Sequence, residues 1–177
     1  MKKFELTSEF ITNVLGAKLF RIKALIEFGD VSAGELGGYI EKEENLAQDG
    51  DAWVYGNAKV YGNAKVCGNA KVCGNAEVCG DAEVYDNAEV CGDACVCGDA
   101  DYSTVKGFGR IFRTTTFFRK KDKDISVSCG CFYGTLEEFR KKVKETHGES
   151  KTAKEYLMLA DLMEYKFSRE MDEEVNQ

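Results

Sequence analysis

Proline is absent from this 177-residue chain, and histidine and tryptophan occur once each. We have no physical account of the missing proline. The lone histidine, His147, excludes a three-histidine metal centre built by one chain. No apolar run approaches a membrane span. No apolar segment follows Met1-Lys2-Lys3 either, since Phe4-Glu5-Leu6-Thr7-Ser8-Glu9 is not a signal-peptide core, so a cytoplasmic protein is expected. Basic residues are the scarce charge. The net charge of −7 and pI of about 4.9 argue against general nucleic-acid binding. Of eight cysteines, six (Cys67, Cys73, Cys79, Cys91, Cys95 and Cys97) fall in one repetitive stretch, a pattern that fits a reducing compartment better than a secreted disulfide framework. Cys95-Val96-Cys97 and Cys129-Gly130-Cys131 lack the paired spacing of a zinc ribbon, and no metal or cofactor is expected.

What the chain has instead is a repeat. From Gly50 to about Tyr102 it reads Gly-Asn/Asp-Ala-x-Val-Tyr/Cys with a period of six and no insertion. Val recurs from Val54 to Val96, and Ala two residues before each, from Ala52 to Ala94 and again at Ala100. Short fixed periods specify stacked architecture. Alternation places Ala and Val on one face, and Gly-Asn or Gly-Asp turns a corner because both residues tolerate positive φ. Three strands and three corners predict a triangular coil of eighteen residues whose buried valines contribute roughly 1.5–3 kcal/mol each. Residues eighteen apart then stack at roughly 4.8 Å. This puts Lys59 over Glu77, Lys65 over Glu83, and Trp53, Lys71 and Glu89 in one column, with a cation–π contact expected between Trp53 and Lys71. The sign change from one coil to the next supports three strands per coil. Cys73 and Cys91, and likewise Cys79 and Cys97, fall within disulfide range. The same cysteines also read as small hydrophobes replacing Tyr at half-buried outward positions.

Val54-Tyr55-Gly56-Asn57-Ala58-Lys59 resembles the hexapeptide-repeat, left-handed β-helix superfamily, departing only where Tyr or Cys follows the aliphatic residue. The segment Phe20-Arg21-Ile22-Lys23-Ala24-Leu25 through Gly34-Glu35-Leu36-Gly37-Gly38-Tyr39-Ile40-Glu41 is similar to bacterial and phage hexapeptide proteins labelled acyltransferases or polymer-forming proteins on fold alone. The resemblance implies a left-handed parallel β-helix and a homotrimer. On its account the outward stripes Tyr55–Cys73–Cys91, Tyr61–Cys79–Cys97 and Cys67–Tyr85–Ser103 become the expected oligomer interface. Superfamily acyltransferases use a histidine as general base, and its carbonic anhydrases use three to hold a metal. This repeat carries none, so no catalytic residue and no enzymatic activity are expected.

Three segments are expected: an N-terminal β cap over 1–38, the β-helix over 39–102, and a C-terminal module over 103–177. In the cap, Phe20, Ile22 and Ala24 are placed on one face of a strand and Leu19, Arg21 and Lys23 on the other. Ile40 and Leu46 lie in the Ala phase of the repeat. Beyond Tyr102 the spacing predicts a small ββαα module: Arg110–Arg119 as a strand, 120–124 as a polar turn and Ile125–Phe132 as its return. Thr135-Leu136-Glu137-Glu138 is a capping box opening a helix with the stripe Leu136, Phe139 and Val143, ended by Gly148. A second helix is predicted over Lys151–Glu170, its apolar face formed by Ala153, Tyr156, Leu157, Ala160, Met163 and Phe167. The segment from Gly130 to Phe139 resembles a module of phage proteins with no assigned function. His147 falls in the last turn of the first helix, where an imidazole suits the dipole.

Charge is distributed unevenly. Glu41–Asp101 holds 13 acidic and 4 basic residues, while Ser103–Ile125 holds 7 basic and 2 acidic. Lys106, Arg110, Arg113, Arg119, Lys120 and Lys121, interleaved with phenylalanines, form a candidate surface for a phosphate-bearing ligand or a partner. They equally describe the solvated face of a hairpin. The expectation is a non-enzymatic trimeric binding or scaffold protein, phage-encoded on the strength of the resemblance. The alternatives are a phage counter-defence protein sequestering a nucleotide-type signal or a host protein, and an acyltransferase lacking the usual base.

Overall fold

The computed structural model describes residues 2–109 and 111–168. The chain is mainly β, and it divides into two compact units, Met1–Asp99 and Ala100–Gln177.

In the first unit, β1 (Phe4–Thr12) and β2 (Lys18–Ala24) form an antiparallel hairpin, and β3 (Leu36–Ile40) joins β2 antiparallel on its other side. The chain then winds into a parallel β-solenoid of about three turns. Its two-residue rungs are β4 (Trp53–Val54), β5 (Lys59–Val60), β6 (Lys65–Val66), β7 (Lys71–Val72), β8 (Glu77–Val78), β9 (Glu83–Val84), β10 (Glu89–Val90) and β11 (Cys95–Val96). They stack as three ladders: β3-β5-β8-β11, β4-β7-β10 and β6-β9. Three strands therefore close each coil. Every Ala from Ala52 to Ala94 and every Val from Val54 to Val96 is fully buried, whereas Ala100 is exposed. The corner glycines from Gly50 to Gly92 hold positive φ, and at the one corner of that stretch without glycine Asp86 takes φ 57° in its place. Corner side chains form ladders of their own, Asn63 donating to Asp81 at 3.0 Å and Asn75 to Asp93 at 3.2 Å.

The expected charge stacking forms in two of three columns. Lys59 meets Glu77 at 3.0 Å and Lys65 meets Glu83 at 3.4 Å. Lys71 pairs in register with both Trp53 and Glu89, but its ammonium turns to Asp30 at 2.6 Å, so the expected cation–π contact is replaced by an ion pair. Trp53 is fully buried under the edges of Phe4 and Phe28. Because the Lys65–Glu83 pair is exposed, Lys65→Ala is expected to cost under about 1 kcal/mol. Lys65→Glu, which sets like charges one rung apart, costs more. Equal melting temperatures for the two variants would contradict the stacking.

Two readings of the cap are corrected. Leu19, placed on the polar face, is fully buried together with Ile22 and Ala24, because a register irregularity between Arg21 and Lys23 breaks strict alternation. Ile40 and Leu46 stand in the Val column, not the Ala column. They pair with Val60 and Val66, two residues further on than the eighteen that separates later rungs, and the extra residues lie between Leu46 and Val54. Gly37 and Gly38 allow this junction: an added Cβ at Gly38 would lie 2.5 Å from the Ala58 carbonyl oxygen.

Lys3 seals the first coil. Its buried ammonium donates to the carbonyls of Ala52 at 3.0 Å and of Asp49 and Gly50 at 3.3 Å, under the ring of Phe28. Burial pushes its pKa down to about 8, against the opposing pull of Asp49 and Asp51. Between pH 8 and 10 the unfolded chain therefore holds this proton more firmly than the folded one, and stability attributable to Lys3 rises with pH. Denaturant melts across that window are expected to show a rising component that Lys3→Met abolishes. Parallel curves for the two proteins would refute it.

The C-terminal unit contains four strands rather than two. β12 (Tyr102–Phe108), β13 (Arg113–Arg119), β14 (Ile125–Cys129) and β15 (Phe132–Thr135) form an antiparallel meander. The predicted single return strand is split because Gly130, at φ 63°, and Cys131 make a two-residue turn that pairs Cys129 with Phe132. Helices α1 (Leu136–His147) and α2 (Lys151–Phe167) follow. The predicted end of the second helix, Glu170, lies outside the described residues. The capping box forms, Glu138 N–H donating to Thr135 Oγ1 at 3.2 Å and Thr135 N–H to Glu138 Oε2 at 2.8 Å. Phe117, Val127, Leu136, Phe139, Val143, Tyr156, Leu159, Met163 and Phe167 share one core, with Leu157 at its margin. Arg140 ties the helices together through Asp161 at 2.8 Å and Glu164 at 2.7 Å.

Candidate functional site

The C-terminal unit holds an open cleft of about 380 Å³. Its floor is aromatic. Phe139 on α1 lies 5.5 Å from Phe132 and edge-on to Tyr156 at 5.7 Å, and the His147 ring stacks on Tyr156 at 6.0 Å. One wall is a helix face: Phe139, Lys142, Val143, Thr146 and His147 recur at the i, i+3, i+4, i+7, i+8 spacing that brings residues to one side of α1. The opposite wall is the rim of the sheet, with Ile111, Arg113, Cys129 and Cys131. Two cations, Arg113 and Lys142, and one imidazole are among the described lining residues, which include no carboxylate, although Glu145 pairs with Lys142 at 3.7 Å just outside. In a chain of net charge −7 such a lining is not an average sample of the surface.

Neighbours hold these groups in place. Gly130 leaves room for the guanidinium of Arg113, where any Cβ would collide with it. The Tyr156 hydroxyl donates to the Phe108 carbonyl at 3.4 Å, and Thr115 donates to the Cys129 sulfur at 3.2 Å. Burial pushes the Tyr156 phenol up to about 12, with the adjacent Cys129 adding to the effect, so it is a neutral donor. The arrangement can bind an anion at its rim and stack or bury a flat or apolar body on its floor.

The basic residues singled out in the sequence are dispersed. Arg113 lines the cleft. Arg119 is mostly buried, donating to the Phe167 carbonyl at 2.5 Å and pairing with Asp101 at 3.4 Å, a packing role. Lys120 pairs with Asp122 at 3.0 Å across the turn. Lys106 and Lys121 are exposed, and Arg110 lies outside the described residues. Lys142, Thr146 and His147 were not brought together by the sequence reading, although their helical spacing beside the Phe139–Val143 stripe is the signal that finds them. In the solenoid, Tyr55, Tyr61, Cys67, Cys73 and Cys91 are half-buried, Cys79 is buried, and Tyr85 and Cys97 are exposed. Cys73 is bonded to Cys91 and Cys79 to Cys97, with Cα–Cα distances of 4.5 and 4.4 Å. Among the described residues no cluster of His, Cys, Asp or Glu could hold a metal ion, and no helix is long and apolar enough to cross a membrane.

Fold and cleft together define a parallel β-solenoid protein with an appended α+β unit. One curated relative is similar in part: the uncharacterized acetyltransferase YdcK of Escherichia coli K12, 40% identical over 62 residues. The match covers 31% of this chain and spans only 19% of YdcK. No family model matches the chain.

Proposed function

We propose that this is a non-enzymatic binding scaffold, its solenoid a trimerising stalk and its C-terminal unit the bearer of a site for a small anionic ligand or an acidic partner segment. The observation that carries the reading is the cleft whose described lining sets Arg113, Lys142 and His147 above an aromatic floor. The unbroken repeat, which throws out no loop and contains no histidine, supports a structural role for the solenoid. Within the phage reading suggested by resemblance, a nucleotide-type signal is the first ligand class to test, since its phosphates suit the cations and its base suits stacking.

Thermal-shift screening against nucleotides and cyclic nucleotides, with light scattering for the trimer, tests both parts. Charged hydrogen bonds contribute about 1.5–3 kcal/mol each, so Arg113→Glu or Lys142→Glu is expected to weaken a ligand that stabilises the protein by about tenfold or more. A stabilising ligand indifferent to both variants would place binding elsewhere, and a flat screen would retire the small-ligand form of the proposal. The partial similarity to YdcK, an uncharacterized acetyltransferase, supports a second reading, acyl transfer. Turnover of acetyl-CoA by the purified protein would overturn the scaffold reading in its favour.

A further inference from the structure

The two disulfides of the solenoid are alike in span but not in surroundings. Each joins residues eighteen apart on adjacent coils. Beside Cys79–Cys97 stands a third cysteine sulfur: Cys95 Sγ lies 3.7 Å from Cys97 Sγ. The repeat explains the approach, because the fourth and sixth positions of a rung both face outward and Cys95 replaces the Lys or Glu of earlier rungs. Cys97 carries no proton while bonded, so Cys95 is the donor in this contact. Cys95 and Cys97 are accessible to solvent and Cys79 is buried. The rung below Cys95 carries Glu77, whose charge is matched by Lys59 at 3.0 Å.

We propose that Cys79, Cys95 and Cys97 form a disulfide-exchange site. The Cys95 thiolate attacks Cys97 Sγ; a Cys95–Cys97 bond forms as the Cys79–Cys97 bond breaks, and the electron pair leaves on Cys79, which takes up the proton Cys95 has lost. Nothing is oxidised or reduced overall, and no external reagent is needed. A buried sulfur is better accommodated as a neutral thiol, so Cys79 is a slow leaving group and a stable product. The exchange moves a covalent link from between two coils to within one rung. It releases the last coil from its neighbour on that face, while Cys73–Cys91 stays fixed on another.

The test is peptide mapping of oxidised, folded protein alkylated with iodoacetamide and digested without reduction. The expected result is an intrapeptide Cys95–Cys97 disulfide together with alkylated Cys79, in a fraction that grows with time at alkaline pH. Cys73 and Cys91 remain linked and unlabelled. In Cys95→Ser, labelling of Cys79 is expected to fall about tenfold or more. In Cys79→Ser, oxidation with diamide closes Cys95–Cys97. The proposal is overturned if Cys79 labels equally with and without Cys95, if Cys79→Ser leaves both remaining cysteines alkylated under oxidant, or if oxidised wild type never links Cys79 to Cys97. Circular dichroism of each variant separates these outcomes from misfolding.

Discussion

Complete reduction of the protein is expected to lower the melting temperature of its solenoid unit by about 10 °C or more. The solenoid interior is thin: from β4 to β11 each rung contributes one valine and one alanine to it. Adjacent coils are otherwise joined by backbone hydrogen bonds such as Cys73 N–H to Val90 O at 2.9 Å and by exposed ion pairs of small value. Each disulfide closes an eighteen-residue loop, which in the chain-entropy view contributes about 3 kcal/mol. The loops overlap in sequence, so the second adds less than the first. Calorimetry with and without dithiothreitol is the measurement, with Cys73→Ser/Cys91→Ser as the partial case lying between. An unchanged melting temperature would mean that the bonds are not formed in solution.

Phe139→Ala is expected to cost the C-terminal unit about 3–5 kcal/mol, enough to unfold most of so small a core. Phe139 is almost wholly buried, and its ring contacts Phe117, Phe132 and Tyr156, which join the sheet to both helices. It also forms the floor of the cleft. Loss of the helical circular dichroism signal and of the unit's calorimetric transition should follow. Phe139→Leu, which keeps most of the volume, should retain both with a smaller loss. Arg113→Glu reaches only the rim, so it should alter binding and leave the transition in place. A stable Phe139→Ala protein would mean that the two helices hold without their central ring.

The solenoid was legible because one short-range rule repeats. The Ala and Val columns, the three-strand coil and the Lys59–Glu77 stack all follow from a six-residue period and the signs of its outward residues. The cap was less so, because its contacts are distant in sequence: nothing near Trp53 indicates that Phe4 and Phe28 cover it, and local spacing around Ile40 hides the two extra residues before Val54. In the C-terminal unit the helices were legible from Thr135, Glu138 and their apolar stripes. The cleft was not. A run of cations in one strand looks like a surface of its own, yet strand geometry and local acidic partners scatter it, so that Arg113 alone of those described reaches the cleft. Its companions Lys142 and His147 come from a helix whose polar side reads as ordinary solvent exposure. Leu159, buried but not foreseen, shows the same limit: an apolar face wider than the stripe chosen for it.

Beyond the first coil, successive rungs pair with an offset of eighteen residues, so each coil is joined by its ladders to the coils next to it. Duplicating or deleting one eighteen-residue block in the gene would change the height of the column by a single step of roughly 4.8 Å while leaving every remaining contact of a kind already present. The reach of this structure is thus an integer, adjustable one block at a time.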